Sequence, residues 1–372
     1  MKNQQAPAGE VPAAQDQLAA NGGQGAPSQS AWGDLLSGAN AMRALVLAGG
    51  VVLHAVNVYI ATTILPTVVQ DIGGLDLYAW NTTLFVVASI LGSALSPKLL
   101  TMTGPKGSYG LAAVTFAVGA VICAGSTSVE LVHNVLGLAL AFVLGAALIA
   151  VEKRSPSRLL PSGTFQFRSE IAGLYALMSL LVLTVTSGEV FAPLFLQVLH
   201  QQSPLVAGYL AALMGAGWTV GAVISSGLSG RAIERAILVG PVCGLLGMLG
   251  LAFLVPETST GLFLDLVLIC LALALIGLGV GLAWPHLLIR VLKAASAQEQ
   301  ELAGASITTI QLFATASGAA LAGMVANAGG LIDPGGVAGT RQAAYYLFGV
   351  FAVAPLFGII VARNCKAKKQ SD

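Results

Sequence analysis

Ten apolar runs separated by short polar breaks set the pattern of this chain: 44–69, 80–96, 108–126, 131–151, 171–197, 204–227, 236–254, 262–286, 304–327 and 342–362. Crossing the hydrocarbon of a bilayer as a helix takes ~20 apolar residues, and the runs are about that long. The strands of a membrane barrel need only ~10 residues with alternating polarity, which these runs do not show. The pattern therefore predicts an all-α integral membrane protein with about ten transmembrane helices. The longest internal polar stretch, 152–170, divides them unequally into four before and six after.

Charge gives the pattern a direction. If the N-terminus is cytoplasmic, alternate crossings place sixteen of the seventeen lysines and arginines on the cytoplasmic side and Arg341 alone on the other. An asymmetry of this kind is the positive-inside signature of an inner membrane protein, here with both termini inside. The whole chain bears this out, with 56% hydrophobic and 9% charged residues. A soluble protein carries about 25% charged residues. With a net charge of +1 there is no footprint for nucleic acid. Residues 1–42 are rich in Gln, Ala, Gly, Pro and Ser and read as a disordered tail in which Met42 is an alternative start; 364–372 form a second cytoplasmic tail. Cys123, Cys243, Cys270 and Cys365 are scattered without metal-ligand spacing, so buried thiols are expected, and no metal, cofactor or catalytic constellation is predicted. The chain is not read as an enzyme.

Two cytoplasmic loops look alike: "SPKLLTMTGPKG" after the second run and "SGLSGRAIERAI" after the sixth. Each follows a run ending in small residues, "ILGSALS" and "GAVISSG", a weak internal repeat of two halves. Here the chain resembles the major facilitator superfamily, in particular its bacterial drug:proton antiporter branches. The resemblance covers most of 43–365 and is better kept in "GLGVGLAWPHLLIRVL" and "AGASITTIQLFATASGAALAGMVAN". It implies a facilitator-type bundle with a shortened half at 43–151, a basic linker at 152–170 and a six-helix half at 171–363. Twelve helices are usual, and the fourth and fifth, with their Gly-Arg and antiporter motifs, have no counterpart after "ICAGSTSVE". The resemblance also implies a cytoplasmic latch in the first of the two loops. Lys98, Gly104 and Lys106 occupy it, but Thr101 and Met102 stand where a charged pair is expected; Gly227, Arg231 and Arg235 form the second copy.

Facilitator cavities lie at the midplane, so the runs 44–69, 171–197 and 262–286 are the expected lining. His54 and Asn57 share a face of the first, either as a polar cavity wall with a protonatable imidazole or as interhelical hydrogen-bonding groups. Ser179, Thr186, Glu189 and Pro193 lie near one stripe of the second. An ionised carboxylate in hydrocarbon costs at least ~2.5 kcal/mol, which marks Glu189 as the leading proton carrier. About eight residues from the end of its run, it reads alternatively as an interfacial group. Asp265 is a third proton candidate or an interfacial residue. Trp218 and Gln311 are cavity candidates with packing as their alternative. Gly277 and Gly281 permit close helix approach, and Trp284-Pro285-His286 is expected to end its span at the membrane belt.

With these residues, the resemblance implies a secondary transporter exporting small, partly apolar compounds in exchange for protons across the lipid bilayer, by alternating access. The rival is a truncated, non-transporting remnant or scaffold. Substrate, coupling ion and oligomeric state are open at this level. A fluorescent reporter fused after residue 164 or 372 is expected to fluoresce, and alkaline phosphatase to be active after residue 333 but not after 229. Active phosphatase at 229 would overturn the sidedness.

Overall fold

The computed structural model describes residues 62–90, 169–257 and 263–364, with scattered positions between 92 and 164. All belong to the unit Tyr59–Asp372. The tail 1–42, residues 365–372 of the expected tail 364–372, His54, Asn57, Lys98, Thr101, Lys106, Cys123 and Cys365 lie outside the described residues. Among those described, every regular element is helical.

After helical segments at 62–72 and 78–90, which flank a short 3-10 turn at Leu75–Leu77, seven helices follow. They are α1 (Glu170–His200), α2 (Pro204–Ser226), α3 (Arg231–Leu254), α4 (Phe263–Ala294), α5 (Gln300–Ala328), α6 (Gly336–Phe351) and α7 (Val353–Asn364). With α6 and α7 taken as one run, six spans among the described residues are long and apolar enough to cross a membrane. They occupy the places of the last six predicted runs. The count of ten is not supported, because the runs 44–69, 80–96, 108–126 and 131–151 fall wholly or partly outside the described residues.

Local chemistry sets the helix ends. Ser169 accepts a hydrogen bond from the Ala172 amide at 3.1 Å, and Ser203 accepts one from Val206 at 3.4 Å with Pro204 opening α2. Both are N-caps that satisfy amides the helix itself leaves unpaired. The last run is not one uninterrupted helix. It breaks at Ala352, where Pro355 has no N–H to offer the Phe351 carbonyl. A second difference concerns Trp284-Pro285-His286. The helix does not end there but runs through Pro285 to Ala294, and Trp284 and His286 are buried within the bundle, not set in an interfacial belt. Trp80, in contrast, is exposed, as a belt residue would be.

α1 is the centre of the described bundle, apolar on nearly every face and in contact with α2, α4, α5, α6 and α7. Its Phe191 and Phe195 continue a row of aromatic rings from Tyr78 to Phe348, with centroids 5.2–5.7 Å apart. α4 packs differently, backbone against backbone. A Cβ placed at Gly221 would sit 2.5 Å from the Leu278 carbonyl oxygen, and one at Gly240 2.7 Å from that of Gly279. Reciprocally, Gly277 and Gly281 have no room for a side chain against Met214 and Trp218 of α2, nor has Gly279 against Gly240 of α3. In lipid no hydrophobic force drives helices together, so this close dispersion contact takes its place. Cys243 and Cys270, on α3 and α4, are half-buried free thiols and not the buried ones expected.

Gly217→Ala directs its methyl into the Ala274 carbonyl and is expected to destabilise the protein by about 1–3 kcal/mol. Gly349→Ala, at a helical position with open space, is the control and should leave the thermal midpoint in detergent unchanged or raised. Equal midpoints for the two variants would contradict this packing.

Candidate functional site

Glu189 lies deeper than its distance from the end of the apolar run implied. α1 continues to His200, so eleven residues separate Glu189 from that end. At ~1.5 Å per residue this is about 16 Å, well inside a span. The side chain is half-buried. One turn earlier, Thr186 is buried and donates its hydroxyl to the Val182 carbonyl at 2.9 Å, while Gly318 of α5 approaches its methyl group. Ser179, Thr184 and Ser187 likewise bond back to their own helix, at 2.8–3.1 Å. The serine and threonine hydroxyls of α1 are thus satisfied within the helix, while Tyr175 donates to the Ala303 carbonyl of α5 at 3.1 Å; Glu189 is the one acidic group of α1 away from its first turn. Gly188 beside it meets Met214 of α2.

The predicted residues do not form one cluster. Gln311 and Thr315 are half-buried on α5, seven and three residues before Gly318, and Thr308 on the same row is exposed. Asp265 sits in the first turn of α4, near enough for its carboxylate to act on the His200 ring. Trp218 is half-buried on α2 and pairs with Trp284 of α4 at 5.7 Å between centroids. At the other end of that seam, Gly227 closes α2, and Arg231 and Arg235 project from the start of α3. Both arginines are exposed, and neither pairs with a carboxylate among the described residues. Gly104 has a positive φ of 70°, which suits glycine in a turn.

Three groups not singled out from the sequence come into view. His200, placed in a loop when the run was ended at 197, is fully buried, and its Nε2 donates to the Val255 carbonyl at 3.1 Å, tying the end of α1 to that of α3. The apolar "VL" before it and the favourable interaction of a histidine with a helix C-terminus were the available signals. The second group is the contact of His286 Nε2 with Ser225 Oγ at 2.7 Å. Third, the Tyr78 hydroxyl is buried against Phe191 with no hydrogen-bond partner among the described residues.

Among the described residues, this arrangement holds one carboxylate deep in a central helix and aromatic and imidazole groups on the seams around it. Among the described residues no group of three or more metal-ligating side chains occurs. No family model matches the chain. By sequence the chain is similar to efflux transporters. Two curated relatives, both named probable multidrug-efflux transporter and each from a strain of Mycobacterium tuberculosis, are 25% identical to it, over 88% of this chain and 96% of their own length. The alignment spans 458 positions, whereas 88% of 372 residues is about 327; at about 131 positions the relatives have a residue and this chain has none. The similarity supports a membrane transporter and not an enzyme.

A buried hydroxyl without a partner forfeits about 1–3 kcal/mol of solvation. Tyr78→Phe is therefore expected to raise the thermal midpoint of the purified protein. A lowered midpoint would mean that the hydroxyl is satisfied.

Proposed function

We propose that the chain is a secondary active transporter of the major facilitator type, exporting small, partly apolar compounds in exchange for protons by alternating access. One observation carries this reading: a half-buried carboxylate, Glu189, deep in a central membrane helix of a chain similar along most of its length to efflux transporters. Burial disfavours the charged form of a carboxylate, and a nearby water path restores it, so such a group exchanges protons as the cavity opens and closes. His54 is the second proton candidate and Asp265 the third, with Asn57, Thr186, Trp218 and Gln311 as lining of the substrate path. Membership of the facilitator superfamily is supported by the repeated loops and by the small-residue seams that let halves rock as rigid bodies. The basic residues Arg231, Arg235, Arg290, Lys293 and Arg363 fall at alternate helix junctions or ends, which supports an inner-membrane location with cytoplasmic termini. The loops at Lys98–Lys106 and Gly227–Arg235 would close the cytoplasmic side, the first without its acidic partner.

A second reading, a non-transporting remnant or scaffold of the same family, is favoured by the aligned positions that this chain lacks. They exceed what two crossings of ~20 residues and their loops require. Proteoliposomes separate the two. A transporter shows substrate-dependent proton flux in an imposed pH gradient, and Glu189→Gln lowers it at least ten-fold while leaving the thermal midpoint within a few degrees. Wild-type vesicles that bind no drug and move no proton decide for the remnant. Intact flux in the Gln variant removes Glu189 as carrier.

A further inference from the structure

The small residues by which α2 touches α4 recur every four positions: Gly217, Gly221, Ser225. The first two meet bare backbone. The third ends the stripe with hydrogen bonds. Ser225 Oγ donates to the Leu282 carbonyl at 2.8 Å and lies 2.7 Å from His286 Nε2. Both side chains are buried, Ser225 at 0% and His286 at 6% exposure. Their surroundings follow from Pro285, which offers no N–H to the Gly281 carbonyl and loosens the α4 ladder at this turn; a hydroxyl from a neighbouring helix then binds the adjacent carbonyl.

The donor count decides the tautomer. A hydroxyl has one hydrogen, and a carbonyl only accepts, so the Ser225 hydrogen points to Leu282. His286 must then donate from Nε2 to Ser225 Oγ, whether its ring is neutral or charged. Nδ1 is left as the atom that takes a second proton.

We propose that His286 is a proton-binding site, and that a proton taken at Nδ1 tightens the Nε2–H···Oγ bond fastening α2 to α4. A charge-assisted hydrogen bond is roughly twice as strong as a neutral one, so the seam is held more firmly with the proton on than off. The proton comes from water and returns to it; the ring gains and loses one positive charge, and no other bond is made or broken. The site is distinct from Glu189. His286 lies eight residues, about 12 Å, before the end of α4 that carries Arg290 and Lys293, whereas Glu189 is nearer the opposite end of its own helix. Arg290, one turn beyond His286 on the same face, acts on the ring directly. Among the described residues, the helices packed against α4 bring Arg231, Glu234 and Arg235 opening α3, Glu170 opening α1 and Glu299 before α5 to this end, beside Lys293 of α4 itself, and Arg363 lies in the last turn of α7. α2 contributes no acidic or basic side chain. Binding of the proton does not depend on the transporter reading; only its use in a transport cycle does.

The test uses the full chain, labelled with 15N-histidine, in lipid nanodiscs. Ring nitrogens are followed between about pH 5 and 9, the range in which imidazoles titrate. Signals are assigned to His286 by their loss in His286→Gln. Nε2 is expected to stay protonated throughout while Nδ1 passes from bare to protonated at a single midpoint. Ser225→Ala, which removes the acceptor, should move that midpoint down by about one pH unit. A Nδ1 signal that never changes, an Nδ1–H tautomer or an unmoved midpoint in the Ala variant would each overturn the proposal. Glu189→Gln serves as the separate control. It abolishes proton flux if the transport reading holds and leaves the His286 titration where it was; a titration lost in that variant would merge the two sites and overturn their separation.

Discussion

Close backbone contact along α4 is the constraint on which the rest of the described bundle depends. Gly277 and Gly281 face α2, Gly279 faces α3, and the partners Gly217, Gly221 and Gly240 are equally bare. Burying apolar side chains gains little where the solvent is itself hydrocarbon, so helices are held by dispersion between surfaces that fit and by the few hydrogen bonds they share. A seam made in this way has two properties that matter for a transporter. It is rigid, because any side chain placed in it collides with a carbonyl. It is also thin, so a single polar pair such as Ser225–His286 forms a large part of its specific interaction.

α1 is the counterpart of that rigid layer. It is buried by ordinary side chains, with an aromatic row reaching from Tyr78 through Phe191 and Phe195 to Phe348, and its serine and threonine hydroxyls are absorbed by its own carbonyls. Glu189 stands out against this background for a physical reason. The serine and threonine hydroxyls around it satisfy themselves locally, while a carboxylate cannot bond back to the carbonyls of its own helix. It depends on a donor, a cation or a proton. Rigid seams around α4 and a central helix carrying one such acid divide the labour between scaffold and chemistry in the proposed exporter.

Much of the fold was legible in the chain because membrane helices are specified by run length, and run length is local. The six spans from Glu170 to Asn364 lie where the last six apolar runs predicted them, and the serines that cap α1 and α2 stand at their starts. Ends were less legible. α1 runs on to His200 and α4 through Pro285 to Ala294, because neighbouring helices cover residues that in isolation look like terminators. Helical spacing puts Gly304, Thr308, Gln311 and Thr315 on one face, yet Thr308 is exposed while Gln311 is half-buried, since which arc of a helix is covered depends on its neighbours.

The sequence by itself determined that this chain enters a bilayer, roughly where its later helices lie and that an acid sits within one of them. These follow from composition and spacing, which each segment carries whatever surrounds it. Only the tertiary structure decided that Trp284 and His286 are interior and not belt residues, that His200 ties α1 to α3, and that Ser225 meets His286. Each is a pairing between positions far apart in the chain, and periodicity describes one helix at a time. What a buried polar group does depends on which atom of another helix it meets.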